Sequence, residues 1–328
     1  MIEPLKKIFK RRSFPYLFFK IAVFFILLFL ADFFVGNIFK HFFFKQTSGW
    51  EYRTKYSIED TKADILIFGA SRAQQQYNPV YFEERLNETC YNVGRDGEPI
   101  FYSYAVLQAI LQRYKPKIII FDVDNAVFME KQSSYDRIAA LLPFYEKHPE
   151  MRSVIELRGP FEKLKLQSHI YPYNSLLFKI AMGNTEFNKK RNVDIKGYVP
   201  LSNSLNEPIR KVDLSSKYPI DSNKVNCYKS FINDCIKANV KLYLVSSPYF
   251  FQSTGSDTSI ALAKKIANEK NIEFIDFSKD GFFKSNSKLF DDTVHVNFAG
   301  STIFCNRLID TLISRDHYKT VKISNDIK

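Results

Sequence analysis

Cysteine and histidine are scarce in this chain, four and five among 328 residues. The cysteines, Cys90, Cys227, Cys235 and Cys305, show no metal-ligand spacing, so neither a metal nor an organic cofactor is expected. Cys227 and Cys235 fall on one expected helix, about 12 Å apart along its axis, which is too far for a disulfide. All four are expected to fill the core, which leaves the redox compartment open. No internal repeat or low-complexity tract occurs. A basic helix and an RNA-binding signature are also missing, although Lys and Arg outnumber Asp and Glu by 47 to 35. Part of the +12 formal charge sits in the N-terminal tail and the rest is scattered, so nucleic acid is not an expected partner.

What the chain does contain is apolar and aromatic. Hydrophobic residues make up 45%, with 32 Phe and 19 Tyr, and part of the Phe excess lies in the first 44 residues. There the basic residues Lys6, Lys7, Lys10, Arg11 and Arg12 precede an apolar stretch from Phe14 to Phe39. That stretch is long enough to cross a bilayer. Lys20 can snorkel to the near interface. Asp32 is costly unless it lies near the far interface or meets a partner. The basic flank predicts a cytoplasmic N-terminus and an exported remainder, a single-pass protein of the cell membrane. A cleaved signal peptide shares the same features, but no small-x-small site follows the apolar run, which favours an uncleaved anchor over residues 1–45. Residues 46–61 turn polar and read as a linker, and residues 317–328 as a polar tail.

Between them, over 62–316, strand and helix signals alternate. Short apolar runs mark strands at Asp64–Phe68, Thr89–Val93, Lys117–Phe121, Lys241–Val245 and Ile272–Asp276. Helices are expected from Asn78-Pro79 to about Asn87, over Pro99–Tyr114, from a Ser222 cap to Ala238, over Ser259–Glu269, and from Phe298 to Ser314. The alternation breaks over about 126–220, an insertion of helical fragments such as Ser133–Leu142 and Tyr173–Met182. This pattern predicts an α/β fold with a mostly parallel five-stranded sheet. Sites in such sheets lie at the carboxyl ends of strands.

At that edge the sequence places chemistry-bearing residues. Ser71 follows the first strand in Gly69-Ala-Ser71-Arg72, either as a nucleophile or merely at a helix start. His295 and Asp292 lie in Asp291-Asp292-Thr-Val-His295, a base with a carboxylate three residues before it. The adjacent Asp291 is an alternative orienting group, but the spacing favours Asp292. Acyl transfer needs this set plus donors for an oxyanion. Gly97 follows the second strand and Asn125 follows the third. Arg72 can contact an anionic substrate or steady the loop through local carbonyls.

These blocks resemble the SGNH (GDSL-like) hydrolase superfamily. Gly69-Ala-Ser71 matches its nucleophile block with Ala70 in place of Asp, and Asp292-Thr-Val-His295-Val-Asn297-Phe-Ala-Gly300 matches its last block. Asn92-Val-Gly-Arg-Asp-Gly97 fits the second block, an oxyanion glycine, with Gly97 at the better position and Gly94 as the runner-up. Asp122-Val-Asp-Asn125 lacks the glycine and final Asp of the third. The likeness covers about 63–124 and 222–315 and implies a flavodoxin-like three-layer sandwich. It implies catalytic Ser71, Asp292 and His295, with an oxyanion hole from the N–H groups of Ser71 and Gly97 and the side chain of Asn125. The departures resemble the divergent membrane-anchored branch that acts on cell-surface polymers. That implies an esterase or O-acyltransferase working on acyl, chiefly acetyl, esters of a cell-envelope glycan. The alternative is a non-catalytic, membrane-anchored subunit of an envelope polysaccharide assembly system. In the insertion, Tyr171-Pro-Tyr173-Asn174 can stack on sugars or form a small core. Lys189-Lys-Arg191 can meet an anionic polymer or be a solvated face.

Overall fold

The computed structural model describes residues 13–97, 100–185, 194–214, 219–255 and 257–316. Seven strands form among the described residues: β1 (Ile65–Phe68), β2 (Cys90–Asn92), β3 (Ile118–Asp122), β4 (Arg210–Asp213), β5 (Lys241–Ser246), β6 (Phe251–Thr254) and β7 (Glu273–Asp276). β1 and β3 are apolar along almost their whole length and buried at every position, as strands covered on both faces must be. The main sheet has the order β2-β1-β3-β5-β7, and every pair in it is parallel. Register sets Phe68 beside Phe121 and Ile67 beside Asn92, so the chain leaves β1, β2 and β3 at one edge.

Side-chain alternation divides the core into two layers. Leu66, Phe68, Ile119, Phe121, Leu242 and Leu244 face one side, covered by α5 (Ile100–Arg113) and the helices Ser222–Lys237 and Thr258–Glu269. Ile65, Ile67, Ile118, Ile120, Tyr243 and Val245 face the other, covered by α4 (Pro79–Leu86) and the closing helix Phe298–Asp316. This is the three-layer arrangement that the resemblance to SGNH hydrolases implied. All four cysteines are buried, unpaired thiols within these layers.

Local chemistry sets the helix starts. Asn78 caps α4 by accepting from the Val80 N–H, with Pro79 at the first helical position, as expected. The helix expected to start from a Ser222 cap is instead capped by Asp221, which accepts from the N–H groups of Asn223 and Lys224. Helix α5 begins at Ile100 among the described residues.

The segment 46–61, expected to be a linker, is helical and packed into the body. It comprises α2 (Gly49–Lys55) and a π-helical turn over Tyr56–Asp60. Its polar residues are buried rather than solvated: Glu51 pairs with Arg95 at 3.0 Å. Arg113 donates to the buried carbonyls of Ile58 and Thr61 at 2.7 and 2.9 Å, satisfying the C-terminal end of the turn. Polarity here reflects partners inside the fold, which a linear reading takes for contact with water.

The first helix, α1 (Ser13–Lys45), runs as one rod past the expected limit at Phe39. Among the described residues it is the one helix long and apolar enough to cross a membrane. The insertion is a mosaic of short turns whose apolar side chains, among them Leu141, Phe144, Met151, Ile155 and Ile180, join the same core as Phe43 of α1. Tyr173 is buried in it, and the Tyr171 hydroxyl donates to Glu162 at 2.7 Å. These tyrosines therefore build the core of the insertion rather than an open sugar platform. The basic run 189–191 lies outside the described residues. A second, two-stranded parallel sheet of β4 with β6 was not foreseen.

Candidate active site

Ser71 opens the short helix α3 (Ser71–Gln76), directly after the sharp exit of the chain from β1. Gly69 makes that exit possible. Its φ is +139°, and a Cβ there would lie 2.8 Å from the Ala73 Cβ and 3.0 Å from the Asp122 carbonyl. Asn92, at the end of β2, ties the neighbouring loop to the same turn. Its side-chain amide donates to the carbonyls of Ala73 and Tyr77, and its Oδ1 accepts from the Gly94 N–H at 3.0 Å.

The Asp292–His295 loop is folded by its own carboxylate. Asp292 Oδ1 accepts from the N–H groups of Val294 and His295 at 2.7 and 2.8 Å. The same carboxylate meets His295 Nδ1 at 2.9 Å through Oδ2. That turns the far ring nitrogen outward, and His295 Nε2 lies 2.8 Å from Ser71 Oγ. With Nδ1–H donating to the carboxylate, Nε2 is the acceptor for the serine hydroxyl, the tautomer that this network selects. Burial pushes the Asp292 carboxyl up, but its bonds from the His295 ring and the two backbone N–H groups outweigh this and hold it below the ordinary carboxylate value. Asp291 is not the orienting group: its Oδ1 accepts from the Asn203 N–H at 2.8 Å.

Three further residues place this loop, and the contacts of two of them, Gln76 and Phe250, are not visible in the sequence spacing of the site. Gln76 donates to the Val294 carbonyl at 3.0 Å. The Phe250 N–H donates to the Thr293 carbonyl at 2.8 Å. Asn297 donates to the carbonyls of Asn203 and Lys288, and its Oδ1 accepts from the Gly300 N–H. Gly300 must lack a side chain, because a Cβ would lie 2.1 Å from the Leu289 carbonyl oxygen. The Asn and Gly that follow His295 in sequence are thus scaffolding for the loop.

Arg72 does not face a substrate. It is buried, with Nε on Asp122 at 3.2 Å and Nη2 on the Val123 carbonyl at 2.7 Å. Burial works against its charge, but Asp122 and Asp124 more than restore it, and its pKa is raised. Asp122 also accepts from the Tyr77 hydroxyl at 2.8 Å and from the Ser247 N–H at 3.0 Å. Burial and this carboxylate drive the Tyr77 phenol well above its usual value. The ion pair joins α3 to β3 and to the chain just after β5.

The two oxyanion candidates flank β1. Gly97 lies on the loop after β2, at φ +72°, where a Cβ would collide with the Arg137 guanidinium from the insertion. Gly94 is a poorer choice, since its N–H is already held by Asn92. Asn125 lies half-buried in the turn after β3. Among the described residues, no three His, Cys, Asp or Glu side chains gather as a metal-binding group. An open cleft of about 510 Å³ lined by Tyr52, Tyr56 and Tyr91 lies near the amino ends of β1 and β2, the edge opposite Ser71.

No protein-family profile matches the chain, and no curated protein matches it. Among solved structures, the chain is similar to an acetyl xylan esterase, AlAXEase, at 15% identity and a TM-score of 0.38. That match covers 76% of this chain and 100% of the other. It is also similar to the psychrotrophic esterase EstA from Pseudoalteromonas sp., in a structure inhibited by monoethylphosphonate, at 12% identity and a TM-score of 0.39. That match covers 76% of this chain and 96% of the other. Values this low leave the functional reading to the geometry of the site.

Proposed function

We propose that the chain is a serine esterase or O-acyltransferase that works through an acyl-serine on acyl esters, chiefly acetyl esters, of a cell-envelope glycan. The observation that carries this reading is the unbroken hydrogen-bond chain Asp292–His295–Ser71. A hydroxyl, an imidazole and an ionised carboxylate in that order form the arrangement that activates a serine oxygen. His295 Nε2 takes the Ser71 proton as Oγ attacks the ester carbonyl carbon. The Ser71 and Gly97 N–H groups and the Asn125 amide stabilise the tetrahedral oxyanion. The imidazolium then returns its proton to the departing alcohol as the carbon–oxygen bond breaks. Water, or a sugar hydroxyl, attacks the acyl-serine with His295 again as base. A water acceptor yields the free acid and a sugar acceptor yields a new ester.

The apolar α1 and its basic flank support a protein anchored in the cell membrane with the site outside the cytoplasm. An envelope glycan is the acylated polymer within reach of such a site.

The test is Ser71→Ala in the full chain, assayed on p-nitrophenyl acetate and with a fluorophosphonate probe. Loss of both turnover and labelling is expected. Turnover that survives the substitution would refute the assignment, and a wild-type serine that fails to label would point to the non-catalytic subunit instead. Adding an oligosaccharide acceptor to the wild-type protein separates hydrolysis from transfer by the product formed.

A further inference from the structure

Helix α1 meets the body from Asp32 onward and along one stripe. The Asp32 carboxylate accepts from Ser168 Oγ at 2.5 Å, from the His169 N–H at 2.7 Å and from the Ile170 N–H at 3.2 Å. One turn later Gly36 presses on the same segment, so that a Cβ there would lie 2.4 Å from the His169 carbonyl carbon. Lys40 pairs with Glu146 at 2.9 Å, and Phe43 is buried against Phe144 and Tyr173. The spacing 32, 36, 40, 43 is one helical face. Before Asp32, every side chain from Pro15 to Ala31 is exposed.

This division fits a bilayer. Phe14 to Ala31 rises about 27 Å as a helix, close to the ~30 Å of a hydrocarbon core. Asp32 and the polar turn that receives it then mark the boundary of that core. The boundary fixes the level of the chain next to it. Residues 161–168 reach the Asp32 contact as successive turns, with Lys165, Leu166, Gln167 and Ser168 donating to the carbonyls of Phe161, Glu162, Leu164 and Lys165. Leu164 is one turn from Ser168, about 6–8 Å along the chain axis. The interfacial zone of a leaflet is about 5–7 Å deep.

In that turn Phe161 and Leu164, three residues apart on one face, are 65% and 70% exposed. Lys163 lies between them and is exposed, whereas Lys165 turns back to Glu162 at 3.5 Å and over the Tyr171 ring. Glu162 points inward, held by Arg158 at 2.7 Å and by the Tyr171 hydroxyl. The turn is therefore fixed to the body with its apolar residues pushed out. We propose that the Phe161–Lys165 turn is a second membrane contact. Phe161 and Leu164 enter the interfacial zone of the leaflet where α1 leaves the hydrocarbon, and Lys163 faces anionic headgroups. A protein partner would cover apolar surface equally well, but the place of Leu164 within about 6–8 Å of the Asp32 boundary favours a bilayer. The contact holds whatever chemistry Ser71 performs. Two attachment points would hold the body at a set orientation to the membrane surface.

The test places an environment-sensitive fluorophore at Leu164→Cys, and separately at Phe161→Cys, in the full chain. The native cysteines are buried, so labelling is confined to the new thiol. Lys229→Cys, on the exposed face of the Ser222–Lys237 helix, is the reference. Both positions are surface sites, and an unchanged thermal midpoint in detergent verifies that each variant is folded. In vesicles of phosphatidylcholine and phosphatidylglycerol, positions 161 and 164 should show blue-shifted emission and several-fold weaker iodide quenching than position 229. Nitroxide-bearing lipids should quench them strongly. Iodide quenching equal to that at 229 overturns the proposal. Shielding from iodide without quenching by nitroxide lipids also overturns it, and assigns the patch to a protein partner or a second copy of the chain.

Discussion

At the scale of single residues, the Asp292 carboxylate does three tasks with two oxygens. It folds its loop, orients His295 and remains ionised. Its pKa lies below the ordinary carboxylate value, so its contribution to stability is present above about pH 4 and is lost only as pH falls through that lowered value. A loss of activity on acidification between pH 5 and 8 therefore belongs to another group. Asp292→Asn keeps the backbone-accepting oxygen but lets the imidazole take the wrong tautomer. Loss of kcat by about 10²–10⁴-fold with a nearly unchanged KM is expected, read from steady-state kinetics on p-nitrophenyl acetate. A fall of less than tenfold would mean that the carboxylate does not orient the base. The pairing of Asp292 with His295 was legible because it is local, three residues apart. The role of Arg72 was not, because its partner Asp122 lies 50 positions away.

At the scale of elements, the chain after β5 is clamped by a lysine. Lys284 Nζ donates to the carbonyls of Tyr249 and Phe251, both at 2.6 Å, and lies 3.7 Å from the centre of the Tyr249 ring. Burial, assisted by repulsion from Arg72, lowers its pKa to about 8 against the pull of Asp276. The neutral amine still carries the two N–H donors that the carbonyls need. Below about pH 8 the folded state bears the cost of a partly buried charge. Between about 8 and the ordinary lysine value of about 10.4 the unfolded chain binds the extra proton, so stability contributed at this position rises with pH. Relative to Lys284→Met, the wild-type protein should gain in urea midpoint from pH 7.5 to 10. A difference that stays flat across that range would contradict the assignment. The five main strands were legible as apolar runs with turn residues behind them. The β4–β6 pair was not, since Arg210–Asp213 is exposed throughout and finds its partner only through the path of the insertion.

At the scale of the whole molecule, α1 and the insertion form one body from Asp32 on. Gly36 sets the approach of the helix to His169. Gly36→Leu should therefore lift α1 away from the 168–170 turn and cost about 1–3 kcal/mol, as overpacking does elsewhere. Thermal unfolding of the full chain in detergent should show a lower midpoint. The same change at exposed Ala31→Leu serves as the control and should leave the midpoint in place. Equal midpoints for the two variants would mean that the helix is not docked.

The sequence by itself determined the periodicities. Apolar runs separated by helical patterns specify a parallel sheet, the apolar stretch from Phe14 to Phe39 is long enough for a span, and a strand followed by Gly69-Ala-Ser71 puts that serine at the carboxyl edge. These are properties of neighbouring residues, set by backbone geometry and burial. The tertiary structure alone decided which polar residues turn inward. It buried Glu51 in a segment that reads as solvated, gave Asp32 the Ser168–Ile170 turn, and sent Arg72 down to Asp122 rather than out. It also closed the 224 positions between Ser71 and His295 to a single hydrogen bond. A charge or a hydroxyl takes its meaning from the group it meets, and in this protein most of those groups come from distant parts of the chain.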